Sequence, residues 1–136
     1  GVSTTSTAYA TSSDHRLKTA VTYDWDATTR LKQLRPARFE WIADGDDAVP
    51  VDGFLAHEVQ DIVPESISGT KDAMRDEEYE VTPAVLDEDG NEVTPAVMGT
   101  RSVPDYQGID QSKLVPLLVK TIQELEARIT ALETAE

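Results

Sequence analysis

The chain of 136 residues carries 26 acidic against 12 basic side chains, a net charge of −14 and no cysteine. That length suits one domain with a modest core, and the missing cysteine excludes a disulfide framework and a thiolate metal site. Residues 14–38 hold six of the basic side chains against three acids, and residues 40–110 hold nineteen acids against three bases; so acidic a middle repels nucleic acid and anionic lipid and reads as a solvated surface.

Residues 1–12 are mostly Gly, Ser, Thr and Ala. They lack periodicity and the apolar residues a core needs. Between Arg16 and Ile42 a basic, mixed segment ends in Ala37-Arg38-Phe39-Glu40-Trp41-Ile42, and the alternation of Phe39 and Trp41 with Arg38 and Glu40 predicts a short strand with one buried face. Asp44-Gly45-Asp46-Asp47 reads as a turn; it lacks the spacing of a dedicated calcium loop, so no metal is expected. A second strand is expected at Gly53-Phe54-Leu55. A short helix is expected over residues 56–63, with Val59, Ile62 and Val63 on one side and Pro64 as its stop.

One repeat is internal to the chain: Val81-Thr82-Pro83-Ala84-Val85 recurs as Val93-Thr94-Pro95-Ala96-Val97. Folding at Asp89-Gly90 lays the two copies antiparallel. A proline in each copy cannot donate to a ladder, which predicts an exposed ribbon rather than a central sheet.

The chain closes on a long helix capped by Asp110 or Ser112, with Pro116 in its first turn, where a missing N–H costs little. Val115, Leu118, Ile122, Leu125, Ile129 and Leu132 fall at steps of 3 and 4. This heptad seam predicts self-association, and Glu124 with Arg128 forms an i,i+4 pair. Read alone, the seam suggests two strands.

Three segments carry a resemblance when taken in order. They are Ser13-Asp14-His15-Arg16-Leu17-Lys18, then Gly53-Phe54-Leu55-Ala56-His57-Glu58-Val59 running to Pro64, then Ile109-Asp110-Gln111-Ser112-Lys113-Leu114-Val115-Pro116-Leu117-Leu118. Together they resemble the self-cleaving intramolecular chaperone domain at the C-termini of phage tailspikes and tail fibres, of the endosialidase type, over residues 12–133. The resemblance implies an α+β fold: a small mixed body, a projecting β-hairpin arm and a long C-terminal helix in a trimeric coiled coil. It divides the chain into the stub of an upstream fibre (1–13), a chaperone body (14–109) with its arm at about 66–104, and the coiled-coil helix (110–136). The implied partners are two further copies, making a homotrimer, and the upstream fibre or tailspike segment of the same chain; no nucleic acid, membrane or cofactor is implied. The implied setting is the host cytoplasm during phage assembly, with the domain absent from the mature virion.

The same resemblance implies single-turnover self-cleavage between Ser13 and Asp14, with Ser13 and Lys18 as the reactive dyad. A lysine is a base only when neutral; Arg16 as a neighbouring cation favours that form, and Asp14 opposes it unless directed elsewhere. Five residues apart, Ser13 and Lys18 face opposite sides of a strand and lie about 140° apart on a helix. Either the chain turns between them or Lys18 comes from another subunit. Attack by Ser13 on its own carbonyl needs a four-membered ring. An N-to-O acyl shift through the Ser12 carbonyl would cut before Ser13, whereas a Ser13 hydroxyl from a second chain, or a water activated by the dyad, would cut after it. His15 is a rival base ranked below Lys18, and His57, standing where the family usually has glutamine, reads as a helix-surface or core residue. The rival function is a non-catalytic trimerisation or receptor-binding tip of a viral fibre. A hydrolase of external substrates is disfavoured, since nucleophile-elbow glycines, a phosphate loop and a metal cluster are lacking.

Overall fold

A computed structural model describes residues 12–135. Residues 1–11, most of the segment read as an upstream stub, lie outside the described residues, as does Glu136. The architecture is α+β, with antiparallel strand pairs and a long C-terminal helix. In chain order the elements are α1 (Thr28–Leu31), β1 (Ala37–Phe39), β2 (Val51–Gly53), α2 (Ala56–Gln60), β3 (Ile67–Ser68), β4 (Met74–Thr82), β5 (Val85–Leu86), β6 (Glu92–Thr94), β7 (Val97–Pro104), β8 (Gly108–Ile109) and α3 (Val115–Thr134). Tight 3-10 turns at His15–Leu17, Ile42–Asp47, Pro64–Ser66 and Gln111–Leu114 join them.

The core is small because few long apolar residues sit in the body. Ala27, Val59, Val63, Leu114 and Leu117 are buried, and Trp25, Leu31, Leu34, Phe54, Ile62, Ile67 and Ile109 pack round them. Val59 and Val63 fall on one side of α2 and its following turn, as their spacing predicts, and each is 1 % exposed. The helix itself stops at Gln60, and Pro64 opens a 3-10 turn whose Ser66 hydroxyl donates to the Val63 carbonyl at 2.7 Å.

The first strand pair departs from expectation. Ala37, Arg38 and Phe39 pair with Gly53, Asp52 and Val51, so the second strand lies earlier than Gly53-Phe54-Leu55, and Phe54 instead packs on the core. Trp41 is past the strand end and 59 % exposed, its ring edge-on to Phe39 at 5.0 Å. Arg38 and Asp52, facing each other across the pair, hold the register with a two-pronged ion pair.

β3 pairs with β8 inside the body, so the projecting ribbon starts at Met74 rather than at residue 66. β4 and β7 form its lower part, and β5 and β6 its tip. Thr82 stands opposite Val97 and Val85 opposite Thr94, so the two copies of the repeat face each other with the second residue of one against the fifth of the other. Each proline falls in the gap between the two ladders, where the missing N–H costs no strand bond. At the tip the Asp87 carboxylate accepts from the N–H groups of Asp89 and Asn91, both at 2.9 Å, and Gly90 takes the left-handed φ of +84° that glycine accommodates. Lower down, a Cβ on Gly99 would lie 2.8 Å from Val81 and 3.3 Å from the ring of Tyr79, its cross-strand partner, and the Arg101 guanidinium lies 4.7 Å above the centre of that ring.

The capping residue of the last turn before α3 is Asp110. It accepts from the Ser112 hydroxyl at 2.6 Å and the Ser112 N–H at 3.1 Å, which hold its carboxyl below the usual carboxylate range. Leu114, Leu117, Thr121 and Glu124 turn toward the body, the first three buried. The seam residues Val115, Leu118, Ile122, Leu125, Ile129 and Leu132 are all 41–71 % exposed. The expected Glu124–Arg128 pair does not form, because Glu124 is engaged elsewhere.

Candidate active site

Asp14 caps the 3-10 turn His15–Leu17, its carboxylate accepting from the Arg16 N–H at 2.8 Å. That turn reverses the direction of the chain, and the Lys18 ammonium donates to the Ser13 hydroxyl at 2.6 Å. A turn within one chain is thus enough to bring the pair into contact.

Asp14 is directed away from Lys18. Its two oxygens take the Arg16 Nε and Nη2 at 2.9 and 3.1 Å, and the Arg16 side chain, then its backbone N–H, holds the Asp14 carboxyl below its ordinary value. Arg16 is thereby spent on Asp14 rather than left as a free cation beside the lysine. His15 is exposed and lies outside the groove round the pair. His57, on α2, is half-buried and faces the root of the ribbon near Met74, Pro104 and Tyr106.

Ser13 and Lys18 lie in a surface groove whose other walls come from distant parts of the chain: Trp25, Arg30 of α1, Glu65, and Ser112 and Lys113 at the foot of α3. Arg30 is fixed in that lining by donating from Nε to the Ile62 carbonyl and from Nη2 to Glu65, both at 2.8 Å. Glu65 accepts from its own backbone N–H and from Arg30, and with the pull of Lys113 its carboxyl stays below the ordinary value. Two further cations, Arg30 and Lys113, thus line the same groove as the serine against the one carboxylate of Glu65, a field that suits developing negative charge at a neighbouring carbonyl oxygen.

Sequence reasoning gave no role at the site to Arg30, Glu65, Lys113 or Glu124. Lys113 and Glu65 lie in or beside the quoted segments; Arg30 carries no local signal, and the local signal of Glu124 pointed to Arg128 instead. Glu124 accepts from the N–H groups of Ala27 and Thr28 at 3.1 and 2.8 Å and from the Thr28 hydroxyl at 2.6 Å. It thereby caps α1, which has no side-chain cap of its own. The Thr28 hydroxyl, then the Thr28 and Ala27 N–H groups, hold its carboxyl below the usual range.

Residues 13–68 match a peptidase family described as chaperone of endosialidase. No curated protein matches the chain. Among solved structures, a crystal structure of a novel intramolecular chaperone superposes with a TM-score of 0.51 at 16 % identity, covering 85 % of this chain and 99 % of that one. The carboxy-terminal domain of the bacteriophage T5 L-shaped tail fibre with its intramolecular chaperone domain gives a TM-score of 0.49 at 16 % identity. That likeness covers 95 % of this chain and 32 % of the other. The stretch from Ser13 to Ser68, which holds the first two of the three segments quoted above, is thus similar to the endosialidase-chaperone family, and the match stops short of half the chain.

Proposed function

We propose that this chain is the C-terminal intramolecular chaperone of a phage tail fibre or tailspike, which brings three copies into register and then releases itself by cutting between Ser13 and Asp14. The observation that carries the cleavage is the contact of Lys18 Nζ with Ser13 Oγ at 2.6 Å, at the position where the family match begins. Lys18, in its neutral form, takes a proton from a water held by the pair, since the Ser13 hydroxyl could reach its own carbonyl only through a four-membered ring. The oxygen so activated adds to the scissile carbonyl, and the Asp14 nitrogen leaves with a proton returned by Lys18. Net addition of one water leaves a carboxylate on Ser13 and an amine on Asp14. A lysine acts as a base only in its neutral form, which desolvation favours.

Assembly is supported by what a single chain leaves exposed. The seam of α3 is a narrow apolar stripe with no neighbour in one chain, and Trp41, Ile42, Leu55 and Tyr106 surround a second apolar depression on the body. Three chains joined at one end start a fibre in register, where non-local pairing would otherwise be slow. The proposed setting is the host cytoplasm during assembly, with the cut domain leaving the finished particle.

Intact mass spectrometry of the chain with a longer upstream segment, beside its Ser13→Ala variant, tests the cleavage. A wild-type fragment starting at Asp14 and an uncut variant are expected. A fragment starting at Ser13 would retain self-cleavage but replace the stated bond by the acyl-shift route. Two uncut, folded assemblies would overturn cleavage and leave a trimerisation or receptor-binding tip.

A further inference from the structure

The strap between Lys18 and α1 has little structure of its own. Its local side-chain bonds run from the Asp24 N–H to the Thr22 hydroxyl at 3.2 Å and from the Thr29 N–H to the Asp26 carboxylate at 3.4 Å, and Ala20 sits at a left-handed φ of +54°. What holds the strap is α3. Lys120 Nζ donates to the Tyr23 carbonyl at 2.8 Å and lies 5.9 Å from the centre of the Trp25 ring. One turn on, Glu124 takes the N–H groups of Ala27 and Thr28. Lys120 and Glu124 are four apart and so share one face of the helix. Trp25, held beneath Lys120, lines the groove that contains Ser13 and Lys18. On the same turns Leu118, Ile122 and Leu125 stand exposed on the seam.

We propose that Lys120 and Glu124 form a clamp that positions the cleavage segment. They tie the strap to the helix that carries the assembly seam and so keep Lys18 on Ser13. Both are positioning residues, acting through Trp25 and residues 23–28 rather than on the scissile bond. The inference rests on the self-cleaving reading above. A strap released from α3 would regain backbone entropy and sample many conformers, and few of these would hold the pair in contact. Because the clamp and the seam occupy different faces of α3, loosening the clamp should slow the cut without undoing assembly.

The test uses the full chain with its upstream segment, following cutting by mass spectrometry and assembly by sedimentation. Glu124→Ala and Lys120→Met should each cut between about tenfold and about a hundredfold more slowly, the penalty expected for a misplaced reacting group, while sedimenting as the wild type does. Glu124→Gln, which keeps one acceptor, and Lys120→Arg, which keeps the donor, should recover much of the rate. The double variant Lys120→Met, Glu124→Ala should be little slower than the worse single, since both changes free one strap. Wild-type cutting rates in Glu124→Ala would overturn the clamp. So would a Glu124→Ala protein that fails to assemble, because the loss would then be structural. An uncut wild type would instead overturn the self-cleaving reading itself.

Discussion

The two faces of α3 differ in what a single chain can cover. Toward the body, Leu114, Leu117 and Thr121 are buried and Glu124 and Lys120 reach back to residues 23–28. On the other face, Val115, Leu118, Ile122, Leu125, Ile129 and Leu132 stay exposed at heptad spacing. Apolar residues at both sets of positions would look alike to a hydropathy count. What separates them is the body, which is wide enough to cover the first face and too small to cover the second.

The difference can be broken on either side. Ile122→Asp together with Leu125→Asp puts two charges into the seam and should abolish assembly, seen as a shift to the single-chain mass in sedimentation, while the body keeps its circular-dichroism signal. Assembly that survives both charges would mean that the copies meet elsewhere. Leu117→Ala acts on the docked face and should lower stability by about 2–5 kcal/mol through the cavity it leaves, measured by urea unfolding; a smaller loss would mean that the body collapses into the space. Acid is the mildest probe. Glu124 and Asp110 hold their carboxyls below the usual range, so the unfolded chain binds their protons more readily. Their stabilising share is complete above the ordinary carboxylate range, about pH 4, and is lost as pH falls through the lowered values. The unfolding midpoint should therefore drop between about pH 5 and pH 3, less steeply in Glu124→Gln.

Much of this was legible where signals are local. The heptad steps, the Asp110 cap and the paired Val-Thr-Pro-Ala-Val copies each state their geometry within a few residues, and the helix and ribbon follow them. The first strand pair was misread by two residues because Phe39 and Trp41 alternate with charges beyond the strand end, and the Arg38–Asp52 register depends on a partner fourteen residues away. The body side of α3 was hidden for a similar reason. Glu124 has Arg128 four residues on, which suggests a surface pair, and only the arrival of α1 from the far end of the chain diverts it. The candidate dyad was named from motif alone; the turn that brings Ser13 to Lys18 depends on Asp14 preferring Arg16, a choice that spacing does not reveal.

The most direct test of the account is native mass spectrometry of Lys18→Ala in the chain with its longer upstream segment, since one spectrum reports both stoichiometry and cutting. The account predicts a single species at the mass of three uncut chains, with the wild type beside it giving three chains from which the upstream piece is severed. Uncut Lys18→Ala as single chains would contradict the separation of assembly from chemistry, and a cut Lys18→Ala trimer would remove the lysine from the reaction.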